Sequence, residues 1–318
     1  MSTRVRTTGL AGLAALTLLA SACGGSTKDS ANGTSQAAGQ GASAPAGSVS
    51  CPNGMVRFGI EPYEAPAKLT PAYTVLAKAM EKGLGCPVKL TIVQDYAAEV
   101  LAMKNDKLDV AEFGPLGFVF ASKKAGAEPV ASFGDANGQL STYKAGIWVP
   151  KDTPVQSLTD LKGKTLALSS IGSTSGDALP RYALQQAGLS QSDLKIKYAG
   201  GHPQSLLALT SGTIDAAEIN TQELTAAKAA GSFDESKYRR VWESNPIPND
   251  PITVRGSLDK AFKDKVASVL VGLSPADVKA VGAFLDVDPA GPMLPVTKDT
   301  YQPLFDLAAK LGLTEKDV

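Results

Sequence analysis

The chemistry in this chain gathers around a run of small hydroxyl residues, Gly172-Ser173-Thr174-Ser175-Gly176, set just ahead of a predicted helix. A helix N-terminus presents unpaired N–H groups and a partial positive charge, so it can hold a compact anion without lysine or arginine. The hydroxyls add short donors, and the flanking glycines let the backbone approach closely. Serines also cap helices for purely structural reasons, so the weight of this loop depends on its neighbours. His202, the only histidine, precedes Pro203 at the next predicted helix start. There an imidazole or imidazolium could read another oxygen of the same anion; a capping or surface histidine is the plain alternative. Asp250 lies in the rigid connection Asn245-Pro246-Ile247-Pro248-Asn249-Asp250-Pro251, where aspartate is commonly a turn residue. Facing an anion, an ionised carboxylate can only accept, so it favours a ligand that carries an acidic O–H. Monoprotonated phosphate, phosphite and phosphonates offer that proton near neutral pH. Sulfate does not, and an unpaired, repelling carboxylate would reject it.

Other chemistries fit the inventory poorly. The 318 residues hold 31 basic and 31 acidic side chains, one histidine and three cysteines. The balanced charge leaves no electrostatic footprint for nucleic acid. The ligand set is too small for a His-rich zinc site or a Cys-cluster iron site, so no metal and no cofactor are expected. Ser173 or Ser175 with His202 and Asp250 contains the atoms of a hydrolase triad, but a nucleophile elbow needs Gly-x-Ser-x-Gly and its middle residue here is Thr174. Gly163-Lys164-Thr165 mimics the end of a P-loop, yet Leu158 stands where that loop requires a glycine. The expectation is a binding protein and not an enzyme.

Alternating strands and helices must position these residues. Short apolar runs predict strands over 55–60, 88–93, 109–113, 147–149, 165–168, 194–198 and 214–219. Between them, helices are predicted from Thr70-Pro71 to Gly83, over 97–104, from Gly114-Pro115, over 177–186 and over 203–209. Ser157 and Asp160 form a capping-box variant, and the last third is mostly helical, over 261–270, 275–285 and 300–311. The alternation argues for βαβ units, parallel sheets and an α/β fold. Such folds bind ligands beyond the carboxyl ends of their strands, which is where Tyr96, the 169–176 loop, His202 and the 220–222 turn fall. At roughly 150 residues per domain the length allows about two domains.

The first fifty residues are of another kind. Arg4 and Arg6 precede an apolar stretch over 10–20 that ends in Ser21-Ala22-Cys23. Residues 1–22 thus read as a secretory signal, too short for a spanning helix. The cysteine directly after small residues resembles a bacterial lipobox, which implies that Cys23 becomes the first mature residue and carries lipid; plain secretion is the alternative. Residues 23–50 are almost entirely small and polar and cannot bury enough surface to offset their conformational entropy, so they read as a disordered tether. A tether behind a lipid anchor places the working domain on the outer face of the cell membrane. Export also permits a disulfide between Cys51 and Cys86, provided that the strands they precede are parallel neighbours; two buried thiols are the other reading.

Five segments, Asp95-Tyr96-Ala97, Phe113-Gly114-Pro115-Leu116, the 172–176 loop with Leu179-Pro180, Gly201-His202 and Ile247-Pro248-Asn249-Asp250-Pro251, appear in the order found in one family. Over about 56–311 the chain resembles the phosphate/phosphite/phosphonate-binding lipoproteins of ABC importers. The resemblance implies the type II periplasmic-binding-protein fold, two α/β lobes with a ligand cleft between them. Lobe one would comprise 51–148 plus 253–318, and lobe two 149–252. It also implies that Tyr96, Ser173, Thr174, Ser175, His202 and Asp250 hold the phosphorus oxyanion, with Tyr143 near it. In aminoalkylphosphonate binders of the family a glutamate at the Gln222 position pairs with the ligand's ammonium, so a neutral Gln222 shifts the expectation towards phosphite, phosphate or methylphosphonate. Glu112 and Lys144 stand where some members carry aromatic residues. The implied partners are that small anion, the ABC transporter permease and, through lipid, the membrane, with the chain itself a monomer. The same fold holding a sulfonate, nitrate or another organic solute is the alternative.

Overall fold

The apolar runs pair into two sheets in a computed structural model that describes residues 50–314. The predicted leader over 1–22, the lipidation at Cys23 and the tether up to 49 lie outside the described residues. In the first sheet β1 (Val56–Ile60) runs parallel to β2 (Val88–Ile92) on one side and β3 (Val110–Glu112) on the other. After β4 (Glu128–Asp135) the chain leaves this sheet through β5 (Thr142–Tyr143). It then builds the second sheet from β6 (Gly146–Pro150), β7 (Thr165–Leu168), β8 (Lys195–Tyr198), β9 (Ala216–Glu218) and β10 (Tyr238–Glu243). It returns through β11 (Ile247–Pro248), which pairs with β5, and completes the first sheet with β12 (Ile252–Val254) and β13 (Ala290–Leu294). The strand orders are β13-β4-β12-β3-β1-β2 and β10-β6-β9-β7-β8.

The result is two α/β lobes, each with the expected parallel strands at its centre and antiparallel strands added beside them. β7 is parallel to β8 and β9, whereas β6 runs against β9 and β12 runs against β3. The physical reason is the crossing itself: a strand arriving from the other lobe enters at the carboxyl edge of the parallel core and must run the opposite way. β6 belongs to the second sheet from Gly146 onward.

Helices cover both faces of each sheet. They are α1 (Pro66–Leu84), α2 (Tyr96–Lys104), α3 (Pro115–Ala125), α4 (Leu179–Gln186), α5 (His202–Thr210), α6 (Thr221–Ala229), α7 (Lys260–Val271), α8 (Pro275–Gly282) and α9 (Gln302–Lys310). Alternation along the strands divides the cores: Val110 packs with α1, α7 and α8 while Ala111 packs with α2, α3 and α9, and Ala167 faces away from Leu166 and Leu168. α1 starts before the predicted Thr70-Pro71. Pro66 takes the first turn and Pro71 sits inside the helix, because Leu69, Tyr73, Leu76 and Met80 form one fully buried stripe that carries the helix back.

Cys51 and Cys86 are joined by a disulfide with Cα atoms 5.7 Å apart, next to the paired strand starts Val56 and Val88. The bridge spans 35 residues of sequence. Loop-closure entropy for a span of that size gives about 4 kcal/mol. Reduction is therefore expected to lower the melting temperature by roughly 10 °C, and calorimetry with and without a phosphine reductant checks it. A transition unmoved by reduction would show that the cross-link constrains nothing in the unfolded chain.

Candidate functional site

Each strand that ends at the gap between the sheets passes into a turn with a specific polar fixture. After β2, the Asp95 carboxylate accepts the Ala98 N–H at 2.6 Å, which caps α2 and sets Tyr96 as its first residue. β3 continues through Phe113-Gly114 into Pro115 at the start of α3. After β7, Ser173 caps the next turn, its Oγ accepting the Gly176 N–H at 3.1 Å. Residues Thr174–Ala178 form one π turn before α4, so helical structure begins earlier than the predicted 177 and in a wider form. α5 starts at His202, and Asn220 caps α6 by accepting the Glu223 N–H at 2.8 Å. The Asn249-Asp250 turn is held from behind. Ser132 Oγ donates to both of its carbonyls at 3.1 and 3.0 Å, and the Tyr301 hydroxyl donates to the Asn249 carbonyl at 2.8 Å.

These turns converge on a cavity of about 180 Å³ that all eight predicted ligand residues line: Tyr96, Tyr143, Ser173, Thr174, Ser175, His202, Gln222 and Asp250. The volume lies below the roughly 300–1,000 Å³ of pockets that take drug-sized molecules. Among the described residues no lysine or arginine lines it. A contact crosses between the lobes beside it: the Leu116 N–H donates to Thr174 Oγ1 at 2.9 Å. The Asn220 amide donates to Ser175 Oγ at 3.3 Å. Gln222 borders the cavity, but its amide donates to Asn249 Oδ1 at 2.7 Å and to the Leu285 carbonyl at 3.2 Å, so it braces the Asp250 turn.

His202 is oriented by Glu218, with Nδ1 3.0 Å from Oε2, and its Nε2 lies 3.4 Å from Ser173 Oγ. Burial alone would lower the imidazole pKa; the facing Glu218 carboxylate outweighs it and raises the pKa above its ordinary value. Burial also raises Glu218, against the opposing pull of His202. Both directions mean the same thing: the pair keeps its proton, and the ring offers an N–H towards Ser173 and the cavity. Ser173, His202 and Glu218 follow the order of nucleophile, base and orienting acid, with Glu218 in the place the sequence suggested for Asp250. A ring that retains its proton is a poor base, and the Ser173 oxygen is already engaged by the Gly176 N–H.

The acids are the unexpected part. Burial lifts Asp250 to about 7 against the pull of His202, so it is only partly ionised near neutral pH, where the sequence suggested a plain carboxylate. Glu61 is raised far above the usual carboxylate range by burial first, then by Asp250 and Glu99. Glu112 and Glu99 are raised in the same way, each by burial first and then by neighbouring acids. Glu112 lies behind the cavity wall and accepts a hydrogen bond from the Tyr73 hydroxyl, itself 2.9 Å from that of Tyr63. Lys144 points elsewhere, paired with Glu243 at 2.9 Å. Sequence reasoning missed Glu61, Tyr63, Glu64, Asn220 as a capping partner, Glu223 and Phe284 in the lining. Glu61 and Tyr63 directly follow β1, so the carboxyl-end rule applied to that strand identifies them.

The family model and the curated relatives agree on one family. The family described as ABC transporter, phosphonate, periplasmic substrate-binding protein matches residues 58–301. The phosphonates-binding periplasmic protein of Escherichia coli K12 is 32% identical over 216 residues, 66% of this chain; the match spans 64% of that relative, just under two thirds of its length. The phosphate-import protein PhnD of Mycolicibacterium smegmatis is 27% identical over 219 residues, 65% of this chain and 68% of that protein. Among solved structures, PhnD1 of Prochlorococcus marinus in complex with methylphosphonate gives a TM-score of 0.70 at 23% identity, covering 81% of this chain and 98% of that one.

Proposed function

Because the chain belongs to the periplasmic phosphonate-binding family of ABC transporter components, we propose that it captures a small phosphorus oxyanion outside the cytoplasm and hands it to a membrane permease. One observation carries this reading: eight residues from six separate segments meet on one small cavity that offers hydroxyls, helix N-termini and an imidazole whose pKa the Glu218 carboxylate raises against burial. Those are donors suited to a compact tetrahedral anion. Tyr96 comes from one lobe and the 173–175 hydroxyls and His202 from the other, so an anion touching both is better satisfied in the closed form and favours closure. With Gln222 engaged at Asn249, the reading favours phosphite, phosphate or methylphosphonate over ligands whose ammonium would sit at that position. The protein acts as a monomer tethered by lipid on Cys23.

Titration calorimetry of the purified protein against phosphite, phosphate, methylphosphonate, sulfate, an alkanesulfonate and nitrate tests the proposal. At least one phosphorus anion is expected to bind and sulfate is not; binding confined to sulfonate or nitrate would replace the ligand while keeping the fold. The Ser173–His202–Glu218 alignment favours hydrolysis as a second reading, and steady turnover of nitrophenyl esters or phosphoesters would establish it. Asp250→Asn removes the charge that repels a fully ionised anion. At pH 8 the variant is expected to lose about tenfold, or about 1.4 kcal/mol, of the discrimination against sulfate. An unchanged ratio of dissociation constants would take Asp250 out of selectivity.

A further inference from the structure

Asp250 is not the only acid at the anion position. Glu61 directly follows β1, is 3% exposed, and lines the same cavity. Its Oε2 is buried and has no hydrogen-bond partner. A buried polar atom left unpaired costs about 1–3 kcal/mol, so on a residue that lines a ligand cavity it calls for a partner from the ligand, reached by a turn of the carboxyl. We propose that Glu61 is a further ligand residue, a neutral carboxylic acid whose O–H donates to the bound phosphorus oxyanion. This rests on the anion-binding reading above and assigns its proton bookkeeping.

The surroundings of Glu61 set its protonation. The carboxyls of Asp250, Glu99 and Glu112 face it, together with the hydroxyls of Tyr63, Tyr96 and Tyr143; the Gly114 N–H favours its charged form, and His202 lines the same cavity. Gly114 leaves no slack: a side chain there would meet Glu61 Oε1 at 2.7 Å. Ionised, Glu61 could only accept and would repel an anion; neutral, it offers one donor. Glu99 and Glu112 also carry unpaired oxygens, but neither lines the cavity, so they act by keeping Glu61 neutral. The two acids at the cavity then have complementary parts. The ligand's own O–H donates to Asp250, and Glu61 donates to an unprotonated ligand oxygen. The pair therefore counts ligand protons and disfavours binding once Glu61 ionises.

Glu61→Gln keeps a donor of similar shape that cannot ionise, and Glu61→Leu removes it. Dissociation constants for phosphite, phosphate and methylphosphonate would be measured from pH 6 to pH 9, with melting curves alongside. At pH 6, Glu61→Gln is expected to bind within about threefold of wild type and Glu61→Leu at least about tenfold more weakly. Towards pH 9 the wild type should lose more affinity than Glu61→Gln. The inference fails if Glu61→Leu binds like wild type, or if wild type and Glu61→Gln share one pH profile. A loss above tenfold in Glu61→Gln at pH 6 also overturns it, since the amide keeps the one thing the proposal requires of this side chain, a donor. Should Glu61→Leu not fold, the comparison of wild type with Glu61→Gln decides alone. A wild type that binds none of the three anions overturns the proposed function; a wild type that binds with both variants unchanged overturns only the role of Glu61.

Discussion

Gly176→Ala is expected to weaken anion capture about a hundredfold. A Cβ on Gly176 would fall 1.6 Å from Ser169 Oγ, 2.7 Å from Ser169 Cβ and 2.9 Å from His202 Cε1. The Ser169 hydroxyl can swing aside, since it is buried without a partner, but its Cβ is fixed by the end of β7. The His202 ring cannot retreat without breaking its hydrogen bond to Glu218. The Gly176 N–H is also the donor that fixes Ser173, so displacement of this residue disturbs two ligand groups together. Two hydrogen bonds to a charged ligand, at about 1.5–3 kcal/mol each, amount to at least a hundredfold in affinity. Calorimetric titration of a variant shown by circular dichroism to be folded is the measurement. Adding Ser169→Gly should recover part of the loss by relieving the shorter contacts. Wild-type affinity in Gly176→Ala would mean that the ring and the serine turn are not packed as described.

The chemistry of the site was legible because its parts are local. A hydroxyl loop before a helix, a histidine before a proline at a helix start and an aspartate in a proline-rich turn each show their candidate role within a few residues. Their convergence needed only the rule that α/β ligands gather at strand carboxyl ends. What stayed hidden depends on partners distant in sequence. β4 contains Pro129 and Gly134, and β13 contains Gly291 and Pro292; their own residues argue against strand, and pairing between them supplies what propensity does not. Glu218 sits inside a short strand and reads as an ordinary polar residue until His202 is placed beside it. Glu61, Glu99 and Glu112 come from a turn, a helix and a strand, and nothing in their separate neighbourhoods shows that all three are buried close to Asp250. Sequence patterns report which face of an element is apolar, and these acids occupy faces that fold inward regardless.

That buried acid cluster sets the direction of the protein's pH response. Without added anion, raising the pH from about 5 to about 8 is expected to lower the melting temperature. Asp250 moves from an ordinary 3.8 to about 7 through burial, and Glu223 from 4.5 to about 7 through burial and then Glu64. Burial also raises Glu61, Glu99 and Glu112 well above the ordinary carboxylate value, and His202 and Glu218 are both raised as well. For every one of these groups the folded protein binds the proton more tightly than the unfolded chain. Their contribution is complete below the unfolded pKa, near 4 for the carboxyls, and is lost as the pH rises through the folded value. Each proton held by the folded state but released by the unfolded one costs about 1.4 kcal/mol of stability per pH unit. Groups of the opposite sign do not offset this in the same window. Despite burial, Arg57 and Arg255 hold Asp109 below its ordinary value, and hydrogen bonds from Ser190 bring Asp193 to about 2, so their contributions disappear only under acid conditions, below about pH 4. Scanning calorimetry at pH 5, 6, 7 and 8 and constant ionic strength gives the slope, and Glu112→Gln should make it shallower by removing one titrating group. A melting temperature that stays level or climbs across this range would mean that the cluster is hydrated and ionised, and Glu61 would then have no proton to give the anion.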